Sequence, residues 1–160
     1  MRSKWAMKGF IGCLVLLVGV LPAFAGDSLY GKVTEVRSAD TVVLDHGKGT
    51  YIVHIIGIDV PKEGPIANKA KEFVAKLVLG KHARMRLGSR AENGEMFGQL
   101  FTDDPDIGIK DVGLELVRSG LAQRQKGQDY QFGYKYGELS AAERQAREAK
   151  RGLWAPSQPQ

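Results

Sequence analysis

The order of apolar periods along the chain narrows the fold more than any other feature. β-Branched and apolar residues fill 28–36 and 41–44, with Arg37-Ser38-Ala39-Asp40 as a turn between them. A second turn, His46-Gly47-Lys48-Gly49, leads into Tyr51, Val53 and Ile55, which alternate with Ile52, His54 and Ile56. A period of two marks half-buried strands, so these runs predict a three-stranded meander. Residues 57–65 hold two prolines and two glycines and are expected to be irregular.

From Ile66 the period changes. Ala70, Phe73, Val74, Leu77 and Val78 recur at helical spacing, and Gly80 supplies a stop. Strand spacing returns at Ala83, Met85 and Leu87, alternating with His82, Arg84 and Arg86, and again over 96–101 after a loop at 90–94. Asp103-Asp104-Pro105-Asp106 reads as a turn. Asp111 is placed to cap a short helix carrying Val112, Leu114, Leu116 and Val117, stopped by Gly120. Residues 121–124 are expected to be extended, and a last helix to run from about Tyr134 to Lys150, ended by Gly152. The resulting order, β-β-β-α-β-β-α-α, predicts an α+β fold: a five-stranded OB-fold β-barrel with three helices, whose closure removes long sheet edges.

Ahead of this pattern, Arg2, Lys4 and Lys8 flank the start of an apolar run to Val20, followed by Leu21-Pro22-Ala23-Phe24-Ala25. Basic, apolar and small-x-small segments in that order predict a cleavable export signal. The run is about ten residues, where a spanning helix needs about 20, so no stable membrane span is expected after cleavage. The expected organisation is a signal at 1–25, one domain at 26–155 and a loose tail at 156–160, exported to a periplasm or the medium as a monomer. The single cysteine, Cys13, falls in the signal, leaving hydrophobic burial rather than disulfides to hold 135 residues. The formal charge of +5 also shrinks, because three of the 23 basic residues leave with the signal, giving 20 against 18 acidic. So small a surplus supplies little long-range attraction for nucleic acid, and any anion site must be local.

Three stretches together resemble the staphylococcal nuclease, or thermonuclease-like, family. They are Val36-Arg37-Ser38-Ala39-Asp40-Thr41-Val42, then His54-Ile55-Ile56-Gly57-Ile58-Asp59-Val60-Pro61, and a C-terminal half. That half contains Asp111-Val112-Gly113-Leu114-Glu115-Leu116-Val117-Arg118-Ser119-Gly120-Leu121-Ala122 and closes on Arg151-Gly152-Leu153-Trp154. The resemblance implies a five-stranded OB barrel among calcium-dependent phosphodiesterases that cut DNA and RNA. In that family two aspartates hold calcium, a glutamate activates water and two arginines bind the phosphate. By the same resemblance the metal aspartates fall on Asp40 and Asp59, and Ser38 stands where a further acidic residue is often found. The first arginine falls on His54, the glutamate on Lys62, and the second arginine on Gln99 behind Phe97-Gly98.

These replacements predict a severely impaired mechanism. Calcium takes six to eight oxygen ligands, so Asp40 and Asp59 alone imply weak binding, and both residues also suit plain turn and capping roles. His54 lacks the guanidinium fork and Gln99 lacks charge, while losing one preorganised donor typically costs about a hundred- to thousandfold in rate. Glu63, one residue past the expected glutamate, is a candidate general base or else a solvated loop carboxylate. Lys62, Lys69, Lys81, Arg84 and Arg86, with Tyr130, Phe132, Tyr134 and Tyr136, form a candidate nucleic-acid surface or else ordinary solvated and core positions. Three functions stay open: a nuclease relative with lost or strongly reduced activity, an active calcium-dependent nuclease using Glu63 and His54, and a non-catalytic module binding nucleic acid or a protein.

Overall fold

The computed structural model describes residues 28–126 and 137–156. The expected signal, most of the tail, and the aromatic stretch containing Tyr130, Phe132, Tyr134 and Tyr136 lie outside the described residues. In chain order the elements are β1 (Ser28–Ser38), β2 (Thr41–Asp45), β3 (Thr50–Ile55), β4 (Ile58–Asp59), α1 (Pro65–Val78), β5 (His82–Arg90), β6 (Met96–Thr102), α2 (Val112–Arg118), β7 (Gln123–Arg124) and α3 (Glu138–Glu148), followed by a 3-10 turn, Gly152–Trp154.

Five strands close into a barrel in the order β1-β2-β3-β6-β5, with β1 pairing back onto β5. The long β1 makes closure possible by serving two neighbours. Its residues from Ser28 to Lys32 pair with β5 and those from Lys32 to Ser38 with β2. Register shifts between Val33 and Glu35 and between Val36 and Ser38 bend it, as bulges do at barrel corners. The meander and the β5–β6 hairpin are antiparallel, whereas β3 and β6 run parallel, with His54 opposite Phe97.

Alternating residues of the strands fill the barrel: Val33, Val42, Leu44, Val53, Met85 and Leu100 are all fully buried. Pro65 opens α1 at a position where its missing N–H costs nothing, and Ala70, Val74 and Val78, four apart, turn one face inward. The Asp111 side chain caps α2 by accepting from the Leu114 amide at 3.0 Å, as its sequence position predicts. Gly120, at φ 70°, lies against the Arg151 carbonyl, and a Cβ there would overlap that backbone. The Gly120 carbonyl in turn accepts from the Leu153 amide at 2.8 Å, tying the C-terminus to the end of α2.

Two expectations need correction. Ile58–Asp59 is not irregular: it forms β4 and pairs antiparallel with β7 outside the barrel. The Gln125 amide bonds the Gly57 carbonyl at 2.9 Å, so the partner comes from a segment distant in sequence. The last helix begins at Glu138 rather than near Tyr134, because Gly137 takes the left-handed φ of 91° at its N-cap, outside helical geometry.

Candidate active site

Asp40 sits in the turn between β1 and β2, and its carbonyl accepts from the Ile55 amide at 2.7 Å, fixing the turn to β3. Its carboxylate accepts from three side chains. Oδ1 accepts from the Ser38 hydroxyl at 2.5 Å and the Thr41 hydroxyl at 3.0 Å, while Oδ2 accepts from the Lys62 ammonium at 2.8 Å. Partial burial pushes this carboxyl up, but the Lys62 and Ser38 hydrogen bonds, the Lys62 charge and the Thr41 hydroxyl together outweigh burial and hold it below the ordinary carboxylate range.

His54 points outward from β3, between buried Val53 and Ile55, as the alternation predicts. Its ring stacks on Phe97 with centroids 4.7 Å apart, and its two nitrogens are bridged to opposite partners. Nδ1 lies 3.1 Å from Thr41 Oγ1 and Nε2 lies 3.0 Å from Glu95 Oε2. Glu95 is the residue that sequence reasoning missed. The Asn93 side chain accepts from its amide at 3.1 Å, and a turn closed by the Ala91 amide on the Glu95 carbonyl delivers it to the start of β6. The only local signal is the Asn93-Gly94 turn. The His54 hydrogen bond first, then Asn93 and the charges of His54 and Arg37, hold the Glu95 carboxyl below its usual range against some burial.

An ionised carboxylate only accepts, so Nε2 donates to Glu95. The Thr41 hydroxyl has one hydrogen and two neighbours, Asp40 Oδ1 at 3.0 Å and His54 Nδ1 at 3.1 Å, so the two contacts share that hydrogen unless Nδ1 carries one of its own. A continuous chain then runs Glu95–His54–Thr41–Asp40–Lys62. An incoming phosphate would have to displace one of its members to reach a His54 N–H.

Gln99 lies on β6 two residues beyond Phe97, only 3% exposed. Its carbonyl accepts from Arg86 at 3.2 Å and its amide donates to Asp111 at 3.2 Å, so it links β5 to the cap of α2. Asp59 is exposed on β4, and Glu63 is exposed in the loop before α1. Two clefts flank Asp40. One, about 250 Å³, is lined by residues including Arg37, Ser38, Lys62, Asn68 and Lys71; the other, about 350 Å³, by His54, Ile55, Ile56, Ser89, Phe97 and Gln125. Asp40 borders both, while Asp59, Glu63 and Gln99 line neither. Lys69 is exposed on α1, and Arg84 and Arg86 are exposed on β5, each with its guanidinium over the Phe101 ring. Tyr134 falls outside the described residues.

A closed five-stranded barrel with three helices and this row of outward side chains accompanies a match of residues 52–156 to the family model described as staphylococcal nuclease homologue. The chain belongs to the staphylococcal nuclease homologue family. Among curated relatives it is 29% identical over 163 residues to a Verticillium alfalfae protein named probable endonuclease LCL3, covering 82% of this chain and 56% of that one. An Escherichia coli O157:H7 protein named uncharacterized endonuclease is 27% identical, covering 91% of this chain and 90% of its own length. A rice protein, Oryza sativa subsp. japonica, named probable staphylococcal-like nuclease CAN1 is 27% identical over 88% of this chain and 38% of its own.

For a staphylococcal nuclease homologue, the donors around Asp40 fit calcium poorly. A hard dication needs several oxygen donors free to face it, whereas Asp40 Oδ2 already faces a cation and Oδ1 accepts from two hydroxyls. Among the described residues no group of three or more His, Cys, Asp or Glu side chains is arranged to hold a metal ion.

Proposed function

We propose that this chain is an exported member of the nuclease family, directed at nucleic-acid phosphates, in which calcium-dependent hydrolysis is lost or reduced by several orders of magnitude. One observation carries the reading: a lysine, not a carboxylate, stands beside Asp40, its ammonium 2.8 Å from the oxygen that a metal on Asp40 would have to share with it. The side chains of His54 and Gln99, engaged by Glu95, Thr41, Arg86 and Asp111, support it. The processed protein is assayed on single-stranded DNA and RNA with calcium and with chelator, beside Asp40→Ala. No calcium-stimulated cleavage above the Asp40→Ala level is expected; stimulation lost in that variant would overturn the reading. Export is tested separately by cell fractionation and N-terminal sequencing, with Gly26 expected as the first residue of the exported protein and Met1 as the contrary result.

A second reading rests on the 3.0 Å contact between His54 and Glu95, an imidazole oriented by a carboxylate in the larger cleft. Such a pair acts as a metal-independent acid or base. It requires slow cleavage in chelator that falls at least about tenfold in Glu95→Gln, less than the roughly hundred- to ten-thousandfold of a whole acid or base because the imidazole itself remains; cleavage indifferent to that change excludes it.

A further inference from the structure

The smaller cleft, between the β1–β2 turn and the first half of α1, carries more positive than negative charge. Arg37, Lys62 and Lys71 line it against one carboxylate, Asp40, a local surplus of two. Asn68 adds an uncharged amide one helical turn before Lys71, on the same side of α1. The first turn of α1 contains no acidic residue, although Glu63 stands just before its Gly64 N-cap. At about 250 Å³ the cleft is smaller than the roughly 300–1,000 Å³ that encloses a drug-sized ligand, and it suits an end group rather than a whole nucleotide.

We propose that this cleft is a metal-independent binding site for a terminal phosphate monoester at the end of a nucleic-acid strand. A monoester carries about −1.5 to −2 at neutral pH and presents three acceptor oxygens, matching the surplus of two; an internal diester carries a single charge. Lys62 and Lys71 bring ammonium donors, and Arg37 brings the planar fork that pairs with two phosphate oxygens. Arg37 contacts Glu35 at 3.4 Å, but both side chains are about half exposed, at 47% and 57%, and a pair of that kind holds its partners weakly. Asp40 accepts from Ser38, Thr41 and Lys62, but the Lys62 side chain is 76% exposed, so this pair too holds the ammonium only weakly, and the charge of Asp40 subtracts from the attraction. Its effect is therefore opposite in sign to that of a metal ligand, whose removal abolishes phosphate binding.

The inference rests on the preceding reading only for what carries the phosphate; the preference for a dianion is measured independently. The processed protein is titrated in chelator with two labelled oligothymidylates, identical except for 5′-phosphorylation, and with inorganic phosphate as competitor. The phosphorylated strand is expected to bind about tenfold more tightly, a difference of about 1.4 kcal/mol, and phosphate to compete. Lys62→Ala and Lys71→Ala should each remove most of that difference, and Lys76→Ala, the same charge change elsewhere on α1, should leave it. Asp40→Asn should bind at least as tightly as the parent. Equal affinity for the two strands, a preference that appears only with calcium, or weaker binding by Asp40→Asn overturns the proposal. Phosphate competition without discrimination between the strands overturns the assignment to a strand end. Cleavage in calcium bears on the preceding reading alone, because every titration is done in chelator.

Discussion

Lys62, with Ser38 and Thr41, holds the Asp40 carboxyl below its ordinary range, and a single change should reveal the share of Lys62. Lys62→Glu replaces the ammonium by a second carboxylate beside Asp40, next to the Ser38 and Thr41 hydroxyls. Without metal this variant should be less stable than the parent, since like charges meet. Calcium at a hundred times its dissociation constant should then raise its stability by about 2.7 kcal/mol and leave the parent unmoved, which thermal unfolding with and without the ion checks. A calcium shift of equal size in the parent would contradict the poor fit of its donors. The acid limb of stability follows from the same groups. Asp40 and Glu95 are held below the ordinary carboxylate range, so their stabilisation is complete above about pH 5, clear of both ordinary values, and fades as pH falls through their lower folded values. Denaturation midpoints measured against pH should show that loss below about 5, and Asp40→Asn or Glu95→Gln should flatten it.

Between elements, Asp111 does two jobs. One oxygen caps α2 through the Leu114 amide, and the other accepts from Gln99, which itself holds Arg86 of β5. Asp111→Ala should cost toward the upper end of the roughly 0.5–2 kcal/mol of a lost cap, because the buried Gln99 amide loses its acceptor in the same step. Chemical denaturation checks the figure; a cost within error of zero would mean that the Gln99 link contributes nothing. The same link bears on the arginine that the family resemblance would put at position 99. A guanidinium there would be buried beside Arg86, so Gln99→Arg without a change at Arg86 should destabilise the barrel.

The whole molecule depends on one core shared by the barrel and its helices, with no cysteine after residue 13 to reinforce it. Leu100 on β6 is fully buried within it. Leu100→Ala should therefore cost about 2–5 kcal/mol, read as a lower midpoint of a single cooperative transition and unaffected by reductant. A loss below about 1 kcal/mol would mean that the core collapses around the gap. Among the described residues no helix is long and apolar enough to cross a membrane.

Strand and helix placement was legible because it depends on local period. Alternation alone put His54 outside between Val53 and Ile55, and Arg84 and Arg86 outside around Met85. Capping chemistry likewise placed Asp111 at the start of α2. The partners of those side chains were not legible. Glu95 reaches His54 across 41 residues only because β3 and β6 pair in parallel, and Lys62 reaches Asp40 only because the loop before α1 folds back over the β1–β2 turn. Gln99 took a structural role for the same reason, its neighbours coming from β5 and from the cap of α2. By itself the sequence determined which face each side chain takes, since the period of one strand or helix fixes that. Which faces meet was decided by the tertiary structure, because barrel closure and helix docking are set by packing the whole core at once.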